Sequence, residues 1–196
     1  MDGSTISAYD HSSASYAKDW TEQPAPVDMY SLLERFFVNG PTIDVGCGGG
    51  RDAAWLQSKG FDVSGVDASE GLLREARKAY PHIWFYIATL PRLDELIPGV
   101  YQNVLCETVL MHLDSNDIPT ALRSLLALLV PGGTLYLSWR VTPDASIRDD
   151  NGRLYSAFNK EIVLRELSHD AAIVFDQEDM SASSGKTIHR LIAKRR

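Results

Sequence analysis

Thr42-Ile43-Asp44-Val45-Gly46-Cys47-Gly48-Gly49-Gly50-Arg51 decides how this chain is read. A short apolar run ends in an acid, turns through glycines and opens a helical pattern near Arg51. Strand, glycine turn and helix start are what a nucleotide-bearing cofactor needs. Glycines let the backbone turn sharply and approach a ligand where a Cβ would collide. The first helical amides lack intrahelical partners and are offered to the ligand's acceptors. Two known kinds of loop fail on spacing. A dinucleotide fingerprint needs glycine three places after its second glycine, and that place is Arg51. A triphosphate cradle needs Lys-Ser or Lys-Thr after the loop, and neither is there. Two readings stand: a cofactor loop marked by the acid in front, or a glycine turn in some other α/β domain.

Outward from that turn, strand and helix patterns alternate. Met29, Leu32, Leu33 and Phe36 fall at helical spacing and predict a helix over 28–38. A strand is expected near 42–46, then a helix over about 51–58 closed by Gly60. A second strand runs from Asp62 to Val66 and ends at Asp67. Ser69 is placed to cap a helix over 70–79. Further strands are expected near 84–87, 103–106 and 134–139, with a short helix or turn at 92–97. A strongly apolar helix over 117–130 should stop at Pro131-Gly132-Gly133. After a helix over 160–168, two strands at about 171–176 and 187–193 flank the polar loop 178–186. No helix separates that pair, so it should be an antiparallel hairpin. The other crossovers imply a parallel sheet with helices on both faces. Neither an internal repeat nor a second domain is visible.

Bulk properties bound the function. At 196 residues the chain is one ordinary domain, long enough to bury a large core. An apolar content of 44% and a charged content of 23% are globular values. A net charge of −7 provides no broad footprint for nucleic acid. No apolar run approaches the ~18 residues of a membrane span. The polar N-terminus has no signal-peptide core, so a cytoplasmic setting is expected. Cys47 and Cys106 lack metal spacing with histidine or each other. They read as free thiols in a reducing compartment, and no metal is expected.

The order of acid and glycines in Ile43–Gly50 resembles the first motif of the class I S-adenosylmethionine-dependent methyltransferases, small-molecule branch. The likeness covers about residues 40–140. It implies a doubly wound, Rossmann-like sheet of seven strands, mostly parallel with an antiparallel last strand. It also implies S-adenosylmethionine as cofactor and S-adenosylhomocysteine as product. That cofactor carries an ammonium and a sulfonium and no phosphate, which suits Asp44. Gly46, Cys47, Gly48 and Arg51 complete the loop. Asp67 falls about 20 residues past the glycine turn, where a carboxylate grips ribose hydroxyls; its bland alternative is a helix cap. Ala68 and Ser69 belong to the same signature. At the third strand end, Leu90 should pack on the adenine and Thr89 or a backbone group should meet its polar edge. At the fourth, Cys106–Leu113 backs the methionine arm. Glu107 is read there as a cofactor-side or loop-holding residue.

The substrate side is read from fewer residues. His112 is a base near neutral pH, or a packed histidine that shapes its loop. Arg140, closing the fifth strand, is the candidate contact to a small organic acid, because a guanidinium binds carboxylate in a fork; otherwise it belongs to a solvated loop. Residues 1–27 resemble a lid, in which Tyr16 and Trp20 fall one helical turn apart; Tyr16 would join His112 and Arg140 at the acceptor site and Trp20 would meet the cofactor, or both simply anchor a loose terminus. Residues 141–196 would supply a substrate-side loop and the C-terminal hairpin. The expected protein is a methyltransferase acting on a small molecule, as monomer or homodimer, away from membranes. The rivals are a nucleic-acid (RNA) methyltransferase and a non-catalytic binder of S-adenosylmethionine.

Overall fold

The structure is a computed structural model and describes residues 1–142 and 145–196. The parallel strands are β1 (Pro41–Val45), β2 (Asp62–Asp67), β3 (Trp84–Ile87), β4 (Tyr101–Cys106) and β5 (Leu129–Arg140). Helix α4 (Arg51–Ser58) joins β1 to β2, α5 (Glu70–Ala79) joins β2 to β3, and α6 (Ile118–Leu128) joins β4 to β5. A two-stranded ribbon follows, β6 (Ile147–Arg148) with β7 (Leu154–Tyr155). Helix α7 (Lys160–Ser168) leads to the hairpin β8 (Ala171–Met180) and β9 (Thr187–Arg195). The seven-stranded order is β3-β2-β1-β4-β5-β9-β8, and β9 runs antiparallel to both neighbours.

Alternation of side chains across the strands builds a core on each face. Val104, Cys106, Leu135 and Leu137 face α6 and α7, while Leu105 and Tyr136 face the other layer. Helix α6 buries Ile118, Ala121, Leu122, Leu125 and Leu126, the stripe of an amphipathic helix. Helix α3 (Val27–Phe36) buries Met29, Tyr30 and Leu33 on the opposite layer. Ser69 caps α5, its Oγ accepting from Leu72 N at 3.1 Å.

Two expectations are corrected. The helix expected over 117–130 ends at Leu128, because Leu129 already pairs with Tyr101 of β4. The loop expected over 178–186 is shorter, since Glu178, Asp179 and Met180 pair with His189, Ile188 and Thr187. A polar face toward solvent is compatible with an edge strand, so polarity misplaced that boundary. The N-terminal segment is regular: α1 (Gly3–His11) and α2 (Ser13–Glu22) pack on α5. Asp2 caps α1 by accepting from Thr5 N at 2.8 Å.

Candidate functional site

Strand order reverses between β1 and β4, and the carboxyl ends of both open onto one cavity of about 210 Å³. Ligands in open parallel sheets bind at such a switch point. Gly46 (φ +79°) and Gly48 (φ +53°) take left-handed conformations at the turn. A Cβ on Gly46 would run into the Val109 side chain. One on Gly48 would stand 2.7 Å from Cζ3 of Trp20, which lies across the turn.

Asp67 ties this turn to the end of β2. Its Oδ2 accepts from Gly48 N at 2.9 Å and its Oδ1 from Ser69 N at 2.9 Å. A carboxylate has about four lone-pair sites, so acceptor capacity remains. Burial raises its carboxyl pKa, against the lowering effect of those amides. Asp44 is 3% exposed, and its Oδ2 has no hydrogen-bond partner among the described residues. Burial, reinforced by Asp52 and Asp67, pushes it well above the usual carboxylate range. Arg51 donates through Nε to Asp52 at 2.9 Å and through Nη1 to the Trp20 carbonyl at 3.1 Å.

Glu107 lines the cavity from the end of β4. Ser138 of β5 donates to its Oε2 at 2.5 Å and accepts from Thr108 N at 2.9 Å. Thr108 has φ +54°, an uncommon strain for a β-branched residue. Burial raises the Glu107 carboxyl to about 6, with the Ser138 hydrogen bond opposing.

His112, in the 3₁₀ turn Leu110–His112, is 4% exposed with both ring nitrogens engaged. Nδ1 is 2.6 Å from the Leu154 carbonyl, which only accepts, so Nδ1 carries the hydrogen. In the neutral ring Nε2 then accepts from the Tyr9 hydroxyl at 3.0 Å. Burial lowers the His112 pKa to about 4. Helix α1 is fastened to the same region by other bonds. Arg148 grips both Asp2 oxygens at 2.8 Å, and Leu154 N donates to Thr5 Oγ1 at 2.9 Å. The Met1 ammonium donates to the Leu90 carbonyl at 2.6 Å. Arg153 stands over the rings of Tyr9, Tyr16 and Tyr155.

Of the residues singled out in the sequence, the cavity gathers Trp20, Asp44, Gly46, Cys47, Gly48, Arg51, Asp67, Ala68, Ser69, Leu90, Glu107 and His112. Arg140, Tyr16 and Thr89 are not among the described residues that line it. Arg140 instead lies over the Tyr155 ring, 5.1 Å from its centroid. Tyr16 stacks on Trp20 with centroids 5.7 Å apart. Sequence reasoning missed Asp52, Thr108 and the serines Ser181, Ser183 and Ser184. Asp52 had a signal, an acid in the first turn of the helix after the glycines. The serines had none; only the register of β8 on β9 brings their turn over the cavity.

Comparison with known proteins agrees with this architecture. A family model described as a methyltransferase domain matches residues 43–133. The ubiquinone biosynthesis O-methyltransferase of Pseudomonas paraeruginosa is 29% identical over 153 residues, 74% of this chain and 62% of that protein. Its counterpart in Xanthomonas campestris is 31% identical over 118 residues, 58% of this chain and 48% of that protein. The chain therefore spans less than two thirds of the length of these relatives. Among solved structures, a 1,6-didemethyltoxoflavin-N1-methyltransferase of Burkholderia thailandensis superposes with TM-score 0.74 at 21% identity, over 98% of this chain and 87% of that one. That structure holds 1,6-didemethyltoxoflavin and S-adenosylhomocysteine. An S-adenosylmethionine-dependent methyltransferase of Mesorhizobium loti superposes with TM-score 0.73 at 19% identity, over 85% and 97%. Over residues 43–133 the chain is similar to a methyltransferase domain, and its fold is that of the S-adenosylmethionine-dependent methyltransferases.

The donor set suits that family's cofactor. A ligand with two positive centres finds a buried carboxyl oxygen without a partner at Asp44, beside Asp52 and Asp67. At the glycine turn a Cβ would displace Val109 or Trp20, so glycine there keeps these cavity-lining side chains in place.

Proposed function

We propose that this chain transfers the methyl group of S-adenosylmethionine to a small molecule. The unpartnered Oδ2 of Asp44, buried against the glycine turn, carries the reading. A cation there satisfies an oxygen that is costly to leave alone. Asp67 would accept from the ribose hydroxyls with its remaining lone pairs. Leu90, with Ala88, would flank the adenine. Trp20 would close the site over the turn. When bound, the cofactor supplies an activated methyl group on a leaving group already in place. The protein's share is alignment and exclusion of water. The cavity lies beneath α1 and α2, in contact with both, which favours a small acceptor over a nucleic-acid chain.

A carboxylic acid as acceptor is a second, narrower reading. The guanidinium groups of Arg140 and Arg153, both over the Tyr155 ring, favour it. They stand outside the described cavity lining, so an acid would have to bind at its edge. Calorimetry with S-adenosylmethionine and with NADH tests the cofactor, and release of S-adenosylhomocysteine from a panel of small molecules tests transfer. Asp67→Ala should weaken cofactor binding by about 1–3 kcal/mol, by removing charge-assisted hydrogen bonds. Unchanged affinity would remove Asp67 from the site.

A further inference from the structure

Two groups at the end of β4 are candidates to take a proton from an acceptor, and their surroundings differ. His112 is committed on both nitrogens, and its partner Tyr9 belongs to α1. It fastens the N-terminal helix and is a weak base besides. Glu107 has the opposite setting. The Thr108 amide occupies a lone pair of Ser138 Oγ, which directs the Ser138 hydrogen onto Glu107 Oε2. The left-handed Thr108 turns the chain immediately after Glu107 and itself lines the cavity. Tyr136 faces the same carboxylate, and its buried hydroxyl has no hydrogen-bond partner among the described residues. The charged and titratable groups around the carboxylate come from four elements: Asp44 of β1, Arg51 and Asp52 of α4, Tyr136 of β5 and Arg190 of β9. Arg190 is held from behind by Asp28, at 2.6 Å, and Asp28 also accepts from Ala182 N at 2.9 Å. The same carboxylate thus anchors the β8–β9 turn whose serines roof this end of the cavity.

We propose that Glu107 is a catalytic residue, the group that accepts the acceptor's proton. The acceptor is then a hydroxyl- or amine-bearing molecule seated between Glu107 and the Ser181–Ser184 turn. The proposal rests on the methyl-transfer reading. In the step, the acceptor oxygen or nitrogen forms its bond to the methyl carbon as the carbon–sulfur bond breaks. The electron pair of that bond stays on sulfur, which leaves as a neutral thioether. The acceptor's proton passes to the Glu107 carboxylate and then to water. Ser138 is a positioning residue, holding the carboxylate through Oε2. A group with a pKa near the working pH is suited to this role, and Glu107, at about 6, meets that condition.

The test uses the full chain, with phenols, alcohols, amines and carboxylic acids as probes and S-adenosylhomocysteine release as readout. Methylation of a hydroxyl or amine probe is expected. If the parent methylates only carboxylic acids, Glu107 is not needed and the proposal fails alone. If the parent binds S-adenosylmethionine yet methylates no probe, the methyl-transfer reading fails and takes the proposal with it. On a hydroxyl or amine probe, Glu107→Gln should lower kcat about 100-fold or more and abolish the acid limb of its pH profile. A surviving limb in that variant, or loss of the limb in His112→Asn, overturns the assignment. Glu107→Gln should bind S-adenosylhomocysteine within threefold of the parent by calorimetry. A larger loss overturns the proposal by placing Glu107 in the cofactor site. Ser138→Ala provides a second variant should Glu107→Gln not fold. Removing the donated hydrogen bond should move the acid limb to higher pH; an unmoved limb counts against Glu107.

Discussion

Asp44 and His112 show how one buried group is decided by its neighbours. Burial raises the Asp44 carboxyl well above its ordinary range, Asp52 and Asp67 adding to the push, and its Oδ2 is unpartnered. A cationic ligand would favour the carboxylate and expel the proton. Binding of S-adenosylmethionine should therefore release protons, and its heat should differ between phosphate and Tris buffers. Asp44→Asn should bind more weakly by about 1–3 kcal/mol and lose the buffer dependence. Equal heats for the parent in both buffers would remove Asp44 from the ammonium's neighbourhood. His112 titrates in the other direction. Its folded pKa, about 4, lies below the ordinary 6.5, so the unfolded chain binds more protons between those values. Stability should rise with pH across that window, by on the order of 3 kcal/mol for this group. Glu107, raised to about 6, acts in the opposite sense over part of the same range. Denaturant titrations of the parent and His112→Asn share that effect, so their difference isolates His112. Parallel curves would mean that the histidine is not buried neutral.

Helix α1 is the element whose role is least evident from its own residues. Its sequence GSTISAYDH is weakly amphipathic and buries only Thr5. It is held by side chains and backbone amides reaching from elsewhere: Arg148 to Asp2, Leu154 N to Thr5, His112 to Tyr9, and Ser69 Oγ with Gly71 N to Asp10. Most of these come from the β6–β7 ribbon and from residues already on the cavity. An element held by a few polar contacts sits at the low-stability end of a fold. Arg148→Ala should speed hydrogen exchange across Gly3–His11 while the β1 and β4 amides exchange as in the parent. S-adenosylhomocysteine should slow exchange across Tyr9–Trp20 in the parent. If neither change is seen, the ribbon does not clasp this helix and the helix is no lid.

Across the whole molecule, the two sheet faces keep separate cores, and this decides the cysteines. Cys47 packs with the α3–α5 layer and Cys106 with the α6–α7 layer. Both are buried and free. A thiol count on unfolded, non-reduced protein should find two sulfhydryls; none would mean that the strand ends are rearranged. The parallel sheet, the glycine turn and the acids at two strand ends were legible in the sequence. Each is written in a local pattern: apolar runs at strand length, glycines where φ is positive, a capping serine after Asp67. The boundaries at Leu128 and Met180 were not legible, because strand pairing rather than local polarity extends β5 and β8. The part of the site proposed for the cofactor lies on consecutive strand-to-helix turns, so short-range motifs mark it. The part proposed for the acceptor draws on β4, β5, the β8–β9 turn and the N-terminal helices, which only folding brings together. Sequence could propose His112 and Arg140 by chemical type. Only the tertiary structure decided that His112 is tied to Leu154 and Tyr9, and that Arg140 lies on Tyr155. A side chain's freedom to act depends on which partners already hold it, and those partners are distant in the chain.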